Sequence, residues 1–585
     1  MTEPRQNGLR DTDQRPIRLE GTRSRALDVA RNRLLMAGAV FGLAFFIVAV
    51  RVIDLTAFAQ VPRAGLVNDA PRPVVARGDI RDRNGVLLAT SLPTASVFAD
   101  PREIIDPEGA ADKLVAVFPE LNRDRLAAKL AEDRRFVWIR RNLVPDEQHA
   151  VNLLGIPGVG FVGEERRVYP QGNVAAHVLG LTNVDGQGVA GVEQSFNNRL
   201  GDGDGVRLSI DLRIQNAMRE ELQAAVREFR AIGAAGLVLD TRTGELLATV
   251  SLPDFDPNAP GANEDVRRFN RVTTGVYEMG STFKLFTIAM GLDTGTTSLR
   301  GGYDASKPLK VARHRISDYH AKNRWLSVPE ILVYSSNIGA AQMAMQVGGE
   351  RQRDYLGRLG LLSRASIELP EVGAPLRPSP WRDINTMTVS FGHGIAVSPL
   401  QLTQAVAAVV NGGILRPTTI LSLDGAPPPA GERVFSASTS RQMRALMRLV
   451  VRYGTGRNAE VAGYKVGGKT GTAEKLIAGR YRRDKRISSF VGAFPIDAPR
   501  YVVLAVIDEP KGNKRTYNYA TGGWVAAPVV GAVVRRMAPM LGIAPVMDDE
   551  SEPVQYRTKK AREAALRVAI GKTIARIRGS QLASN

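Results

Sequence analysis

The chain has 585 residues, a formal net charge of +19 and 44% apolar residues, which is too long for one ordinary core and predicts about two or three globular domains. It contains no cysteine, which excludes disulfides, thiol chemistry and cysteine-ligated zinc. Its five histidines lack a metal-ligand spacing, and its scattered arginines form no aromatic-plus-basic recognition motif. We therefore expect no metal ion, no other cofactor and no nucleic-acid partner.

The N-terminal region predicts a membrane anchor. Residues 1–33 are polar and arginine-rich, whereas residues 34–50 form a charge-free apolar run. A spanning helix needs about 17–25 apolar residues, so an anchor over 34–55 is predicted. The preceding arginines predict a cytoplasmic tail and an exported remainder. A cleaved signal peptide is the competing interpretation, because residues 57–59 resemble a cleavage site. The long basic region in front favours an uncleaved anchor.

The stretch from the anchor to about residue 205 is rich in turns and charge. Prolines between 60 and 75 indicate a linker. Asn84-Gly85 lies between apolar alternations, which predicts a tight hairpin. A second turn-rich segment runs from Arg167 to Glu193. These features favour a structural role for this region over a catalytic one.

From about residue 206 the pattern becomes that of an α/β domain. A strand-like run at 206–211 precedes a helical stretch at 214–231 with apolar residues at helical spacing. Two further strand-like runs, 235–240 and 245–250, flank a turn and predict a hairpin. With helical segments in the middle and strands again near residue 469, this order predicts an antiparallel sheet between helices.

A candidate nucleophile lies at the centre of this domain. Gly280-Ser281-Thr282-Phe283-Lys284 opens an apolar run at 285–290 that predicts a buried helix. Ser281 and Lys284 would then share one helix face. A serine hydroxyl becomes a good nucleophile when a neutral amine beside it takes its proton. The helix start would stabilise an oxyanion by about 0.3–2 kcal/mol. These residues predict an acyl-transfer site.

Two later stretches supply partners for that site. Ser335-Ser336-Asn337 places a hydroxyl and an amide between apolar segments. Lys469-Thr470-Gly471-Thr472 follows a strand-like run at 464–466. Serine-x-x-lysine, serine-x-asparagine and lysine-threonine-glycine, in this order, are typical of penicillin-binding proteins and class A β-lactamases. The chain therefore resembles a penicillin-binding protein.

Other segments narrow the resemblance to class B penicillin-binding proteins. Residues 77–85 resemble the arginine-glycine-x-isoleucine-x-aspartate-arginine-x-glycine start of their noncatalytic pedestal, and 167–193 resembles a second pedestal segment. The 275–284 segment looks closest to the septal, division-specific transpeptidase, with Met279 where that family commonly has proline. His393, in a third matching segment, is expected to be structural. No glycosyltransferase-like region precedes the pedestal.

The resemblance implies a penicillin-binding transpeptidase (serine β-lactamase-like) fold, with an antiparallel sheet between helices, preceded by an elongated α+β pedestal and one transmembrane helix. The predicted organisation is a cytoplasmic basic tail at 1–33, an anchor at 34–55, a linker and dimerisation-type pedestal at 56–205, a transpeptidase domain at 206–545 and a solvated, partly helical basic tail at 546–585. The protein would lie in a bacterial inner membrane as a single-pass protein with a periplasmic catalytic domain.

The resemblance also implies a role for each motif residue. Ser281 would attack a D-alanyl-D-alanine stem peptide, with Lys284 as base. Ser335 would relay a proton and Asn337 would hold a substrate amide. The peptide's carboxylate would bind on the last motif, whose members are Lys469, Thr470, Gly471 and Thr472. No match to the deacylating glutamate of class A β-lactamases follows Asn337, so stable acylation by β-lactams is expected.

Partners implied by the resemblance are stem peptides, β-lactams, a septal SEDS-type glycosyltransferase and other divisome membrane proteins. An elongation-specific transpeptidase and a D,D-carboxypeptidase or β-lactamase share these motifs and stay open as alternatives. A β-lactam sensor or an inactive divisome scaffold is the alternative from a different class.

Overall fold

The computed structural model describes residues 22–53, 76–259, 261, 266–311, 314–477, 479–547 and 558–582, and it divides into two units. The first unit contains one helix, α1 (Thr22–Ile53), whose apolar side chains between 35 and 50 are exposed. In these described ranges, no helix has the length and apolar character needed to cross a membrane. The anchor at 34–55 thus stays a prediction. Residues 1–21, the last two residues of that anchor and the linker up to residue 75 lie outside the described ranges.

The second unit begins with the predicted pedestal region. Its strands are β1 (Ile80–Arg81), β2 (Leu87–Ala99), β3 (Val137–Leu143), β4 (Val159–Val168), β5 (Leu181–Thr182), β6 (Gly188–Ala190) and β7 (Val206–Arg207). Its helices are α2 (Pro107–Val117), α3 (Arg123–Leu130), α4 (Pro145–Leu153), α5 (Ala176–Leu179), α6 (Gly191–Ser195) and α7 (Asn197–Gly201). The long strand β2 pairs antiparallel with β1, β3 and β4, and β1 pairs parallel with β7.

The predicted hairpin at Asn84-Gly85 is confirmed. It joins β1 to β2, and Gly85 has a φ of +86°, a conformation that glycine adopts without a Cβ clash. The Asp82 carboxylate fastens this turn by accepting hydrogen bonds from the backbone N–H groups of Asn84 and Val86, both at 2.8 Å. The two residues that predict the turn, Asn84 and Gly85, therefore form it in the structure.

A buried ion cluster joins the two turn-rich segments of this region. The Glu193 side chain is fully buried, and its two carboxylate oxygens accept hydrogen bonds from Nε of Arg77 and Nε of Arg167, each at 2.7 Å. Buried charges are stable only when they are paired and hydrogen-bonded. This cluster gives a structural role to three charged residues of the two segments, Arg77, Arg167 and Glu193.

The transpeptidase region follows. Its helices are α8 (Leu212–Phe229), α9 (Lys284–Asp293), α10 (Val328–Tyr334), α11 (Asn337–Val347), α12 (Gly349–Arg358), α13 (Asp383–Val389), α14 (Pro399–Val410), α15 (Ala437–Tyr453) and α16 (Gly522–Met540). Its strands are β8 (Gly233–Asp240), β9 (Leu246–Leu252), β10 (Gly302–Asp304), β11 (Leu309–Val311), β12 (His314–Ile316), β13 (Trp325–Ser327), β14 (Ile414–Leu415), β15 (Glu432–Arg433), β16 (Gly467–Ile477), β17 (Arg480–Phe494) and β18 (Tyr501–Asp508).

An antiparallel sheet of order β16-β17-β18-β8-β9 separates two apolar cores. Successive side chains of a strand point to opposite faces, and β18 follows this rule. Leu504 and Val506 pack toward a core formed with α9, α10, α14 and α15, whereas Val503 and Ala505 pack toward α8 and α16. The predicted antiparallel sheet between helices is confirmed, and β16 forms one edge of it.

Two predicted strands differ from the structure. The run at 206–211 forms only the short β7, which pairs with β1 and so belongs to the pedestal sheet. The run at 464–466 is no strand, because Tyr464 closes a turn back onto Val461 through Gly463 at φ +78°. The sheet strand begins one residue later, at Gly467, so Lys469 lies inside the strand.

The C-terminal tail is helical but not fully solvated. Helix α17 (Lys559–Leu582) confirms the helical part of the prediction. The prediction that the tail is solvated is wrong for one face of this helix. Leu566 is 1% exposed, and Ile570 and Ile574 pack against the same core as α15. Apolar residues at helical spacing within a basic sequence account for this docked face.

Candidate active site

Ser281 lies at the start of a buried helix, although not in its α-helical part. A 3₁₀ turn, Gly280–Phe283, leads directly into α9 at Lys284. Side chains three residues apart eclipse in a 3₁₀ helix, and the Lys284 Nζ lies 2.7 Å from the Ser281 Oγ. Met279, where the resembling family has proline, is 1% exposed, so core packing holds the turn at this position. The predicted serine–lysine pair is formed.

The nucleophile turn is pressed against strand β16. Gly280 has a φ of +54°, and a Cβ there would lie 2.6 Å from the Thr472 carbonyl oxygen. Gly471 faces the turn from the other side, where a Cβ would overlap the Met279 carbonyl oxygen. Only glycine allows this approach at both positions. The two motifs are therefore brought together by backbone contact as well as by side chains.

Lys284 is fully buried and contacts three motif residues. Its Nζ lies 2.7 Å from Ser281 Oγ, 2.7 Å from Asn337 Oδ1 and 3.4 Å from Ser335 Oγ. Burial lowers the pKa of Lys284 from 10.5 to about 7, because the charged amine loses its hydration, and the nearby Asp318 carboxylate opposes this shift. A large fraction of this amine is neutral near pH 7 and can accept a proton from a hydroxyl.

Ser335 lies between two lysines. It caps α10 in the left-handed conformation, with a φ of +61°, which is uncommon for a residue with a Cβ. This geometry places its Oγ 3.4 Å from the Lys284 Nζ and 3.0 Å from the Lys469 Nζ. Strained backbone of this kind costs on the order of 1–3 kcal/mol, which the surrounding fold must supply. The hydroxyl links the two amines into one hydrogen-bonded path.

Asn337 is the first residue of α11, and a carboxylate that the sequence did not point to holds it in place. Asp318 accepts hydrogen bonds from the Ser336 hydroxyl at 2.7 Å, the Asn337 N–H at 2.6 Å and the Ile338 N–H at 3.0 Å. A carboxylate at a helix N-terminus satisfies free N–H groups and the helix dipole. Asp318 lies outside every motif, and no local spacing marks it.

Lys469 completes the path from strand β16. It is fully buried, and its Nζ donates to Ser335 Oγ at 3.0 Å, to the Thr470 carbonyl at 3.0 Å and to Thr470 Oγ1 at 3.2 Å. Burial, together with the positive charge of Lys284, lowers the pKa of Lys469 well below its usual range. Two buried amines that share one hydroxyl therefore compete for a proton.

The threonines of this motif have different neighbours. The Thr470 Oγ1 lies 2.7 Å from the Thr455 Oγ1, and the Thr472 Oγ1 accepts from the Gly522 N–H at 3.1 Å. All eight predicted site residues thus lie at one site, either in the hydrogen-bonded path or on the adjoining part of β16. In the portion of the chain that the structure describes, no cluster of three histidine or carboxylate side chains could hold a metal.

A second cluster borders this site and was not predicted as one. The Glu278 carboxylate accepts hydrogen bonds from the Tyr481 hydroxyl and the Gly394 N–H, both at 2.9 Å. The His393 ring stacks on Tyr481 with ring centres 5.5 Å apart. Burial and the charge of Lys284 lower the pKa of His393 to about 4, so this imidazole is neutral near pH 7. The packing fits the structural role expected for His393.

One serine hydroxyl contacts a buried lysine, and a second serine links that lysine to another lysine on the edge strand of the sheet. These contacts define a serine acyl-transfer site. The chain matches the penicillin binding protein transpeptidase domain over residues 234–535 and the penicillin-binding protein dimerisation domain over residues 73–222. The chain belongs to the penicillin-binding protein transpeptidase family.

Relatives and solved structures agree with this assignment. The chain is 42% identical to the probable peptidoglycan D,D-transpeptidase FtsI of Caulobacter vibrioides, covering 89% of this chain and 90% of that protein. It is 34% identical to the peptidoglycan D,D-transpeptidase FtsI of Escherichia coli, covering 80% and 84%. The transpeptidase domain of Burkholderia pseudomallei penicillin-binding protein 3 is 36% identical, with a TM-score of 0.53, covering 58% of this chain and 98% of that one.

Proposed function

We propose that this protein is a peptidoglycan D,D-transpeptidase that cross-links stem peptides at the division septum through a serine acyl-enzyme. The observation that carries the proposal is the hydrogen-bonded path from Ser281 through Lys284 and Ser335 to Lys469. Such a path can remove a proton from the nucleophile and deliver it to a leaving amine. The FtsI relatives, named peptidoglycan D,D-transpeptidases, support the reaction and its substrate. The resemblance of residues 275–284 to the division-specific enzyme supports the septal role.

In the first step, Ser281 Oγ attacks the carbonyl carbon of the penultimate D-alanine while its proton passes to the neutral Lys284 Nζ. The tetrahedral oxyanion is held by the backbone N–H groups of Ser281 and Thr472, each contributing about 2.7–4 kcal/mol. The carbon–nitrogen bond to the last D-alanine then breaks, and Ser335 relays the proton to the departing amine. The product is an ester of Ser281.

In the second step, an amine from a neighbouring stem peptide attacks the ester carbonyl carbon and forms an amide bond as the bond to Ser281 Oγ breaks. The proton that the amine loses passes through Lys284 to Ser281 Oγ and regenerates the hydroxyl. For the first step, Asn337 holds the backbone amide of the donor peptide, and Thr470 and Thr472 bind its terminal carboxylate on β16, which Gly471 keeps close to the nucleophile turn. An arriving carboxylate favours the proton on Lys469. A charged Lys469 in turn keeps Lys284 neutral, so substrate binding prepares the base.

A fluorescent penicillin tests this proposal on the full-length protein in detergent. The wild-type chain should become covalently labelled, whereas Ser281→Ala should lose the label, because the acylated oxygen is missing. Ser363→Ala removes an exposed hydroxyl and is the matched control that should keep the label. Retained labelling in Ser281→Ala would refute Ser281 as the nucleophile.

The alternatives predict different products. A carboxypeptidase releases D-alanine without forming cross-linked dimers, a sensor or scaffold stays acylated without turnover, and an elongation enzyme acts along the side wall. Cross-linked dimers from lipid-linked or nascent strands, together with midcell placement of a tagged protein, support septal transpeptidation. Placement of the tagged protein along the side wall would refute the septal role but not the transpeptidase activity.

We extend the proposal to the surroundings of the enzyme. The chain would be held in the inner membrane by residues 34–55, with residues 1–33 cytoplasmic, a linker and pedestal at 56–205 and a periplasmic transpeptidase domain at 206–545. The outward apolar side chains of α1, such as Phe41 and Phe45, support the anchor. A septal SEDS-type glycosyltransferase and other divisome membrane proteins are the proposed partners. Protease protection of the tail in sealed vesicles tests the topology.

A further inference from the structure

The C-terminal helix reaches the part of the fold that carries Ser335. The Lys322 Nζ donates to the Glu563 Oε1 at 2.6 Å and lies 4.1 Å from the centre of the Tyr334 ring. Tyr334 is the last residue of α10, immediately before Ser335. A cation held between a carboxylate and an aromatic face fixes the position of both. Through Lys322, α17 is therefore fastened to the end of α10.

The segment that carries Lys322 also carries Asp318. Asp318 holds the start of α11 through Asn337, on the far side of the Ser335 turn. The short segment 318–322 is thus tied at one end to α11 and at the other to Glu563 and the ring before Ser335. Both flanks of the Ser335–Asn337 turn depend on this one segment.

Helix α17 is anchored well enough to serve as a support. Leu566 and Thr573 are buried, at 1% and 5% exposure, and lie two helical turns apart on the docked face. Ile570, between them, packs on the core shared with α15. Glu563 lies one turn before Leu566 on this face, with its side chain 31% exposed. A helix fixed by apolar contacts holds its carboxylate at a constant place.

We infer that α17 positions the Ser335–Asn337 turn for acylation, with Glu563 as a positioning residue that acts through Lys322. This inference deepens the proposed function and rests on it. Residues 558–582 would then be part of the working transpeptidase domain, and the basic residues on the opposite face of α17 would not be needed for acylation. Loss of the Glu563 charge should loosen the turn without touching substrate or nucleophile.

The test compares acylation of full-length variants by fluorescent penicillin over a range of concentrations, with thermal unfolding measured beside it. Glu563→Gln should lower the saturating acylation rate constant by about threefold to tenfold, because misplaced catalytic groups slow the chemical step. The half-saturating penicillin concentration should change less than the rate constant. Lys572→Gln, on the exposed face of the same helix, is the matched control and should acylate like the wild type.

A charge exchange separates positioning from general stability. Lys322→Glu alone should acylate slowly, and the double variant Lys322→Glu/Glu563→Lys should regain at least half of the wild-type rate constant, because the ion pair is restored in reverse. A wild-type rate constant in Glu563→Gln would overturn the inference, as would a folded double variant no faster than either single variant. A wild-type chain that takes no label would instead refute the proposed function.

Discussion

Two buried clusters of charge in this molecule have opposite character. In the pedestal, two arginines share one fully buried glutamate, and each contact measures 2.7 Å. In the transpeptidase domain, Lys284 and Lys469 are equally buried but share a neutral hydroxyl, with Asp318 only partly offsetting the lost hydration of Lys284. A balanced cluster holds structure, whereas an unbalanced pair of amines holds a base ready to accept a proton.

Removing the base is expected to have the largest effect. Lys284→Met keeps the length of the side chain without its amine, so the acylation rate constant for fluorescent penicillin should fall by about 10²–10⁴-fold, the usual contribution of a general base. The melting temperature should be unchanged or raised, since an apolar side chain replaces a buried amine. A folded variant that still acylates within tenfold of the wild type would assign the base to another group.

Removing the negative charge from the pedestal cluster should lower the stability and leave the acylation rate unchanged, the reverse of the effect expected for Lys284→Met. Glu193→Gln removes the carboxylate charge that both buried arginines contact, which should lower the free energy of unfolding by about 3–5 kcal/mol, measured by denaturant titration. The fraction that remains folded should acylate at the wild-type rate, since the cluster contacts no site residue. Slow acylation by the folded fraction would show that the pedestal cluster also shapes the active site.

The acidity of Lys284 predicts a pH dependence. The active form is the neutral amine, and the pKa of this group is lowered to about 7, so acylation should rise with pH through about 7 and level off above it. Below that value the rate should fall about tenfold per pH unit. His393, with its pKa lowered to about 4, should contribute nothing over this range. A flat profile between pH 5 and 8 would contradict a lysine base.

Asp318→Asn tests, by the same measurement of acylation against pH, whether the Asp318 charge affects the pKa of Lys284. The variant keeps an oxygen for the N-terminus of α11 but loses the charge that opposes the lowered pKa of Lys284, so the rise in acylation should move to lower pH. Lys469 and His393 also face Lys284 and are unaltered in this variant. A shift to higher pH would show that Asp318 does not act on Lys284 through its charge.

The site was largely predictable because its residues lie in three short motifs. Ser281 and Lys284 are three residues apart, so helical spacing pairs them, whereas the meeting of the three motifs was expected from the resemblance to penicillin-binding proteins. Asp318, Glu278 and Tyr481 were missed because each meets its partners through the tertiary fold, with no periodic or spacing signal. The 3₁₀ start of the nucleophile helix was missed because the same residues are compatible with an α-helix.

The fold was predictable where apolar periodicity is strong and less so at its margins. The helix at 212–229 and the hairpin after it follow from residue spacing, whereas β7 joins a sheet formed by a strand over 100 residues earlier in the chain. The docking of α17 had a signal, the apolar residues Leu566, Ile570 and Ile574 at helical spacing. The many basic residues around them led instead to the prediction of a solvated tail.

The close approach at Gly280 and Gly471 restricts how this protein can evolve under antibiotic pressure. Any larger residue at either position would separate strand β16 from the nucleophile turn, and an inhibitor and a natural stem peptide would lose the same contacts. Changes that exclude the drug but spare cell-wall synthesis are therefore expected farther out, among side chains that the two ligands use differently.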